Sequence, residues 1–284
     1  PGMRKFFQTD HFKRLYEPSI MSELINLAGF WRVLTVLRAD SDYEFSSDIP
    51  ILKSVQILWT YTNDWWKYSV STYYLVHHGE TDFTQNFLNF LHQLIANFAV
   101  RLVLNPNITS VKSYFMNLNV EIVKSAHPQF TPISQEQWEQ VGDTIENHIE
   151  RYTKSTRMLL MILAYGDQNQ RDLLPTNLEI EHILPQRWTK ATLFGYDHDD
   201  VRDELERIGN KILLEKRTNI QAGNNSFWEK KTRYYTKSPI ASVQQLARTD
   251  RNDWTPEDIK NRSTSIKWKL MKLFTTWEPN IVIQ

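Results

Sequence analysis

At 284 residues the chain can hold one large domain or two ordinary ones, and 41% hydrophobic with 23% charged residues is the ordinary balance of a soluble globular protein. The formal net charge is zero, so affinity for a nucleic acid cannot come from bulk charge and would need a local basic face. There is no cysteine, which excludes disulfides and thiolate zinc sites and fits a cytoplasmic protein.

Ten Trp, twelve Tyr and fourteen Phe predict a large aromatic core, with base stacking as another use of a Trp-rich surface. No run of eighteen apolar residues occurs, so no membrane span is expected, and no signal peptide is visible. Pro1-Gly2 ahead of Met3 reads as a cloning remnant, with the native chain expected to begin earlier.

From about residue 10 to 166 the pattern is helix after helix. Residues 82–104 carry Phe83, Phe87, Leu91, Leu94, Ile95 and Phe98 at helical spacing, and Asn105-Pro106-Asn107 ends the run. Ser134 with Gln137 is a capping box that starts a helix with Trp138, Val141, Ile145, Ile149 and Tyr152 on its apolar face. A second apolar helix passes through Met158 to Leu163. Short loops between helix pairs suggest a bundle that supports something else.

The pattern changes at Gly166-Asp167-Gln168-Asn169-Gln170. Residues 177–184 read as a short strand ending at Pro185, which cannot donate to a ladder. Residues 197–206 are acidic and read as loop then helix. Lys211-Ile212-Leu213-Leu214 reads as a second strand, and Asn225-Ser226-Phe227 opens a helix carrying Lys230, Lys231 and Arg233. Thr255-Pro256-Glu257-Asp258 is a helix start with a cap, a proline at the first position and acids in the first turn; that helix is expected to reach about Thr275. The predicted division is a helical domain over 1–166 and a second domain over 167–284.

Glu181-His182-Ile183-Leu184-Pro185-Gln186, then Gly209-Asn210-Lys211-Ile212-Leu213-Leu214, then Asn219, supply a carboxylate, an adjacent histidine and a downstream amide. Those are three parts of a metal-assisted phosphodiester-cleaving site. Glu181 and His182 should face opposite ways unless the strand ends or bulges between them. His182 has the titration range of a general base near neutral pH, the alternative being a core histidine at a strand end. Mg²⁺ or Mn²⁺ prefers oxygen ligands and keeps several waters, so Glu181 with the amide oxygen of Asn219 would suffice; Glu179 is the next carboxylate on that strand face. Asn219 could equally be a turn or cap residue. Asn225 could contact phosphate or cap the next helix. Lys230, Arg233, Lys237 and Arg262 are candidate phosphate contacts, and residues 260–272 hold five basic residues and no acid. Arg262 also falls at the spacing of the apolar residues Ile259, Ile266, Leu270 and Leu273, so it could point inward. Asp197-His198-Asp199-Asp200 and His77-His78 are read as structural.

This ordered set resembles the HNH, or ββα-metal (His-Me finger), nuclease motif: an acid, His-Ile-x-Pro, an Asn before an apolar pair, and a further Asn nine residues on. Within that family it is most similar to the C-terminal nuclease domain of GmrSD-type and SspE-type restriction enzymes. The likeness extends through Asn225-x-Phe227, Lys230, Tyr234, Ser238 and Ile259-x-x-Arg262 and covers roughly residues 155–275. The resemblance implies a mainly α chain: a helical bundle followed by an α+β ββα-metal domain. It implies His182 and Asn210 in catalysis, with Asn210 tying the loop together, and Glu181 and Asn219 on a metal. Asn225, Lys230, Arg233 and Arg262 would meet DNA. The role implied is restriction of modified phage DNA, by nicking. Such enzymes pair this domain with an NTP-using sensor bearing Asp-Gly-Gln-Gln-Arg, which this sequence lacks, so a sensor domain or subunit outside the chain is an expected partner. Glu where the family more often has Asp keeps open a non-catalytic DNA-binding or scaffold module; a purely helical interaction protein would leave the ordered motif a coincidence.

Overall fold

The computed structural model describes residues 8, 13–61, 63–106, 111–147, 153–187 and 198–283. Its first part is helical: α1 (Ser19–Val36), α2 (Ile49–Leu58), α3 (Trp65–His77), α4 (Phe83–Leu104), α5 (Lys112–Lys124), α6 (Gln135–Asn147) and α7 (Thr153–Tyr165). Local chemistry sets the ends. Asp48 caps α2 by accepting from the Ile51 amide at 2.9 Å, with Pro50 in the first turn. Ser134 and Gln137 form the expected reciprocal cap of α6, at 3.2 and 3.0 Å. Ile149 and Tyr152, expected on the same helix, lie outside the described residues.

The core of this half is aromatic. Tyr73 stacks on Phe90 with ring centroids 4.2 Å apart, and Phe83 stacks on Phe87 at 5.2 Å. Phe30 stacks on Tyr74 at 4.0 Å. Each such ring, once buried, contributes about 1.5–3 kcal/mol. α4 runs through the middle, packed against α2, α3, α6 and α7. α4 holds no run of eighteen apolar residues, yet it is long and apolar enough to cross a membrane by length and mean composition; 67% of its most apolar window is buried inside the protein. Phe87, Leu91, Leu94, Ile95 and Phe98 are all buried, so its composition is explained by its place in the core.

The second part is built on β1 (Leu178–His182) and β2 (Lys211–Glu215), an antiparallel pair in which His182 lies opposite Lys211 and Glu181 opposite Ile212. Between them runs α8 (His198–Leu205), and after them α9 (Lys216–Ala222), α10 (Phe227–Arg233) and α11 (Ala241–Ala247). The protein is mainly α with a two-stranded sheet, as the sequence predicted. α9 packs on both strands and completes a strand–strand–helix unit. α9 is not expected from the sequence, because Lys-Arg-Thr-Asn-Ile-Gln offers no apolar stripe.

The last helix, α12 (Pro256–Trp277), starts at a Thr255–Asp258 capping box. It packs against α4, α6 and α7 of the helical half and against α8 and the turn at 208–210 of the other. At that turn Gly209 lies so close to α12 that an added methyl would strike the Ile259 carbonyl and the Ser263 hydroxyl. The close approach lets the Gly209 amide donate to Ser263 Oγ at 3.0 Å.

Candidate active site

β1 keeps its pleat to its last residue, so Glu181 and His182 face opposite sides of the sheet. His182 has 19% of its side chain exposed. Glu181 is 4% exposed and lies in the interior.

The backbone around His182 is fixed by the residues that follow in the motif. Asn210 is fully buried. Its Oδ1 accepts from the Leu184 amide at 2.7 Å, and its Nδ2 donates to the carbonyls of Leu184 and Leu205 at 3.0 and 2.9 Å. Its own carbonyl accepts from the Ile183 amide at 2.8 Å. One side chain thus ties the segment after His182 to the turn before β2, the bracing that the resemblance had implied. Replacing it would orphan buried backbone groups at about 1–3 kcal/mol each.

Two further expected site residues turn out to be internal braces. Lys230 is fully buried. Its ammonium pairs with Glu181 Oε1 at 2.7 Å and donates to the His182 carbonyl at 2.6 Å. Burial lowers the Lys230 pKa, against the opposing pull of Glu181. Tyr235 donates to the same Glu181 oxygen at 3.0 Å, and burial beside that carboxylate raises its pKa well above the usual value. Arg262 is half-buried and donates to the carbonyls of Gly209 and Lys211 at 2.7 and 2.9 Å. Burial draws it down to about 10, so it stays cationic.

Lys230 is therefore no phosphate contact in this arrangement, and Arg262 spends its NH1 on carbonyls that flank Asn210. The physical reason for Lys230 is position: it lies one turn beyond the buried Phe227, on the inner face of α10. For Arg262 the inward spacing was visible in the sequence. Glu179, the reserve carboxylate, is also engaged, with Arg157 Nη2 at 3.0 Å.

Asn219 is half-exposed on α9, and no hydrogen bond joins its side chain to Glu181 or His182 among the described residues. Asn225 is half-exposed just before the Ser226 cap of α10. Arg233 is 62% exposed, its nearest acid being Glu229 at 3.9 Å, and Lys237 is exposed. With Lys216 and Arg217 on α9, also exposed, they are cations of this half that face solvent. A separate groove of about 810 Å³ lies along α12, with Arg251, Trp254, Lys269 and Lys272 among its walls, and His182 does not line it.

On the open face, His182 Nε2 is 3.4 Å from Glu206 Oε1, and Lys211 Nζ is 2.8 Å from Glu206 Oε2. Gln186 Nε2 donates to Glu206 Oε1 at 2.8 Å and lies 3.3 Å from His182 Nε2. The His182 ring, Lys211 and Gln186 hold the Glu206 carboxyl well below the usual range, against the burial that opposes them. Residues 197–206 read from sequence as an acidic loop and helix; the structure sets Glu206, just after that helix, against His182. The strand register could have placed Lys211 beside His182, but nothing in the sequence signals Glu206. Asp197 and the side chains of His198, Asp199 and Asp200 lie outside the described residues. His77 and His78 bind their own surroundings: His77 contacts Glu80 and the Ile122 carbonyl, each at 2.7 Å, and His78 the Tyr74 carbonyl at 2.9 Å.

Residues 139–267 match the family model of the C-terminal domain of GmrSD restriction endonucleases. The match begins inside α6, ahead of the boundary expected near 166. No curated protein matches the chain. The segment is a GmrSD-type C-terminal nuclease domain, and the activity class that goes with it is that of a restriction endonuclease.

Proposed function

Taking residues 139–267 as such a nuclease domain, we propose that the chain hydrolyses DNA phosphodiesters with His182 as general base, nicking one strand per site. The observation that carries this reading is a partly exposed imidazole at the end of β1, on a backbone braced by Asn210, Lys230 and Arg262. Holding a base in one geometry is what makes its proton transfer effective. His182 takes a proton from water, and the resulting hydroxide attacks phosphorus in line with the leaving oxygen. Arg233, Lys237, Lys216 and Arg217 offer phosphate contacts that position the strand. The biological role in this reading is restriction of modified phage DNA, with an NTP-using sensor domain or subunit as partner.

Mg²⁺ or Mn²⁺ is the cofactor expected from sequence; when bound, it would stabilise charge on the phosphate oxygens. The expected donors, Glu181 and Asn219, do not fit it here. Glu181 is neutralised by Lys230 under the sheet, and moving it to a metal would strand a buried ammonium. That same ion pair favours a second reading, a DNA-binding or scaffold module whose motif no longer cuts.

Nicking of supercoiled plasmid, with and without added Mg²⁺ and with His182→Ala as control, separates the two. Wild-type nicking that His182→Ala abolishes supports the enzyme. DNA binding without nicking in any divalent ion supports the scaffold.

A further inference from the structure

The carboxylate on the face of His182 is not the one next to it in sequence. Glu206 follows α8, and its two oxygens are divided between a histidine and a lysine: Oε1 is 3.4 Å from His182 Nε2, and Oε2 is 2.8 Å from Lys211 Nζ. Lys211 is itself held. Its side chain is 6% exposed, and its carbonyl accepts from Arg262 at 2.9 Å. Gln186, four residues after His182, donates to Glu206 Oε1 at 2.8 Å. The oxygen away from the ring is thus held by a buried lysine that is itself fixed, and the oxygen facing the ring by Gln186, whose Nε2 also lies 3.3 Å from His182 Nε2.

We propose that Glu206 is a positioning residue for His182, orienting its imidazole and stabilising the imidazolium formed when the ring accepts a proton. This rests on the reading of His182 as general base. When a neutral imidazole takes a proton it gains a positive charge. A carboxylate 3.4 Å away stabilises that product more than the neutral ring, so it lowers the barrier to the transfer. Glu206 touches neither water nor phosphate in this scheme and acts only through His182. A simpler role would be to neutralise Lys211, whose buried ammonium needs a counter-charge. That role predicts an effect on stability and none on the histidine.

The test uses the full chain carrying Glu206→Gln, which keeps the size and an oxygen for Lys211 but removes the charge. At fixed divalent ion and saturating DNA, kcat is expected to fall by roughly 10- to 100-fold, below the ~10²–10⁴ of a general base itself, with KM little changed. In the double variant His182→Ala/Glu206→Gln the loss should be no greater than in His182→Ala alone, since a residue acting through the ring has nothing left to act on. Additive losses, or an unchanged kcat in Glu206→Gln, overturn the proposal. Histidine ring resonances in nitrogen-edited NMR give a readout that needs no cleavage. Glu206→Gln should shift the His182 ring signals while leaving those of His77 and His78 in place. Unmoved His182 signals overturn the positioning role even if the protein cuts DNA. A protein that shifts them but never cuts DNA overturns the nuclease reading instead. Should Glu206→Gln fail to fold, Lys211→Met/Glu206→Gln removes the buried ammonium together with its partner and carries the same readouts.

Discussion

In the helical half the interior is made of rings: Phe30, Tyr73, Tyr74, Phe83, Phe87 and Phe90 are all buried and touch one another through stacked and edge contacts. In the nuclease half the interior around β1 holds Glu181, Asn210, Lys211 and Lys230, each at most 5% exposed. Rings pack by shape and tolerate small shifts. A buried ammonium placed between a carboxylate and a carbonyl does not, because each bond has a direction and a lost partner leaves a charge without solvent. The first kind of core stabilises; the second fixes a particular geometry, and it lies around His182, the histidine proposed as general base.

The sharpest way to separate stability from geometry is at His182. His182→Ala should reduce plasmid nicking by about 10²–10⁴-fold or more, while the urea midpoint of unfolding stays close to wild type, because the ring is partly exposed and its neighbours keep other partners. A large drop in midpoint would mean that the histidine belongs to the core.

Next come paired truncations, one in each half. Lys230→Met should cost about 3–5 kcal/mol by stranding Glu181, and Phe87→Ala a similar amount, about 3–5 kcal/mol, by opening a cavity. Second substitutions should diverge. Glu181→Leu added to Lys230→Met should recover much of the loss, since no charge is left unpaired. Phe90→Ala added to Phe87→Ala should deepen it. Denaturant unfolding of the four variants reads this directly, and recovery in neither or both halves would erase the contrast.

Acid should reach the helical half through His92, which stacks on Trp277 with centroids 4.8 Å apart. Burial lowers its pKa to about 4, only partly offset by Asp48. The unfolded chain, with an ordinary histidine near 6.5, then binds the proton first. The folded state is favoured above that pH and loses stability as pH falls from about 6.5 to about 4, by roughly 3 kcal/mol in all. His92→Phe should flatten that limb of a stability-against-pH curve; an equally steep limb would assign it to other groups.

The smallest effect is expected at the solvent-facing cations. Arg233→Ala with Lys237→Ala should flatten the slope of log affinity for DNA against log salt by up to about two phosphate contacts, with folding unchanged. Filter binding across a salt series measures it. No change in slope would move the DNA off this face.

The fold was legible where local chemistry decides it. The caps at Ser134 and Thr255, the proline after β1 and the apolar stripe of α4 each name an element and nearly its ends. The alternation of β1 already implied that Glu181 and His182 part company, although the motif suggested that they act side by side. What stayed hidden depends on contacts distant in sequence. Lys230 reads as a surface charge until Phe227 fixes which face of α10 is inside. Glu206 reads as a solvated acid until the chain returns from α8 and sets it against a histidine 24 residues earlier. No periodicity records such a meeting.

The close approach of α12 to Gly209 has a consequence for the order in which the molecule can come into being. Ile259, Arg262 and Ser263 supply the surface against which the turn at 208–210 is set. A ribosome delivers β1 and β2 more than forty residues before those partners, since β2 ends at Glu215 and the first partner is Ile259. Until that late helix emerges, Gly209 lacks its acceptor and the carbonyls of Gly209 and Lys211 lack their guanidinium. A nascent or prematurely terminated chain would thus carry the histidine without its full brace, which is completed only once residues 259–263 have been made.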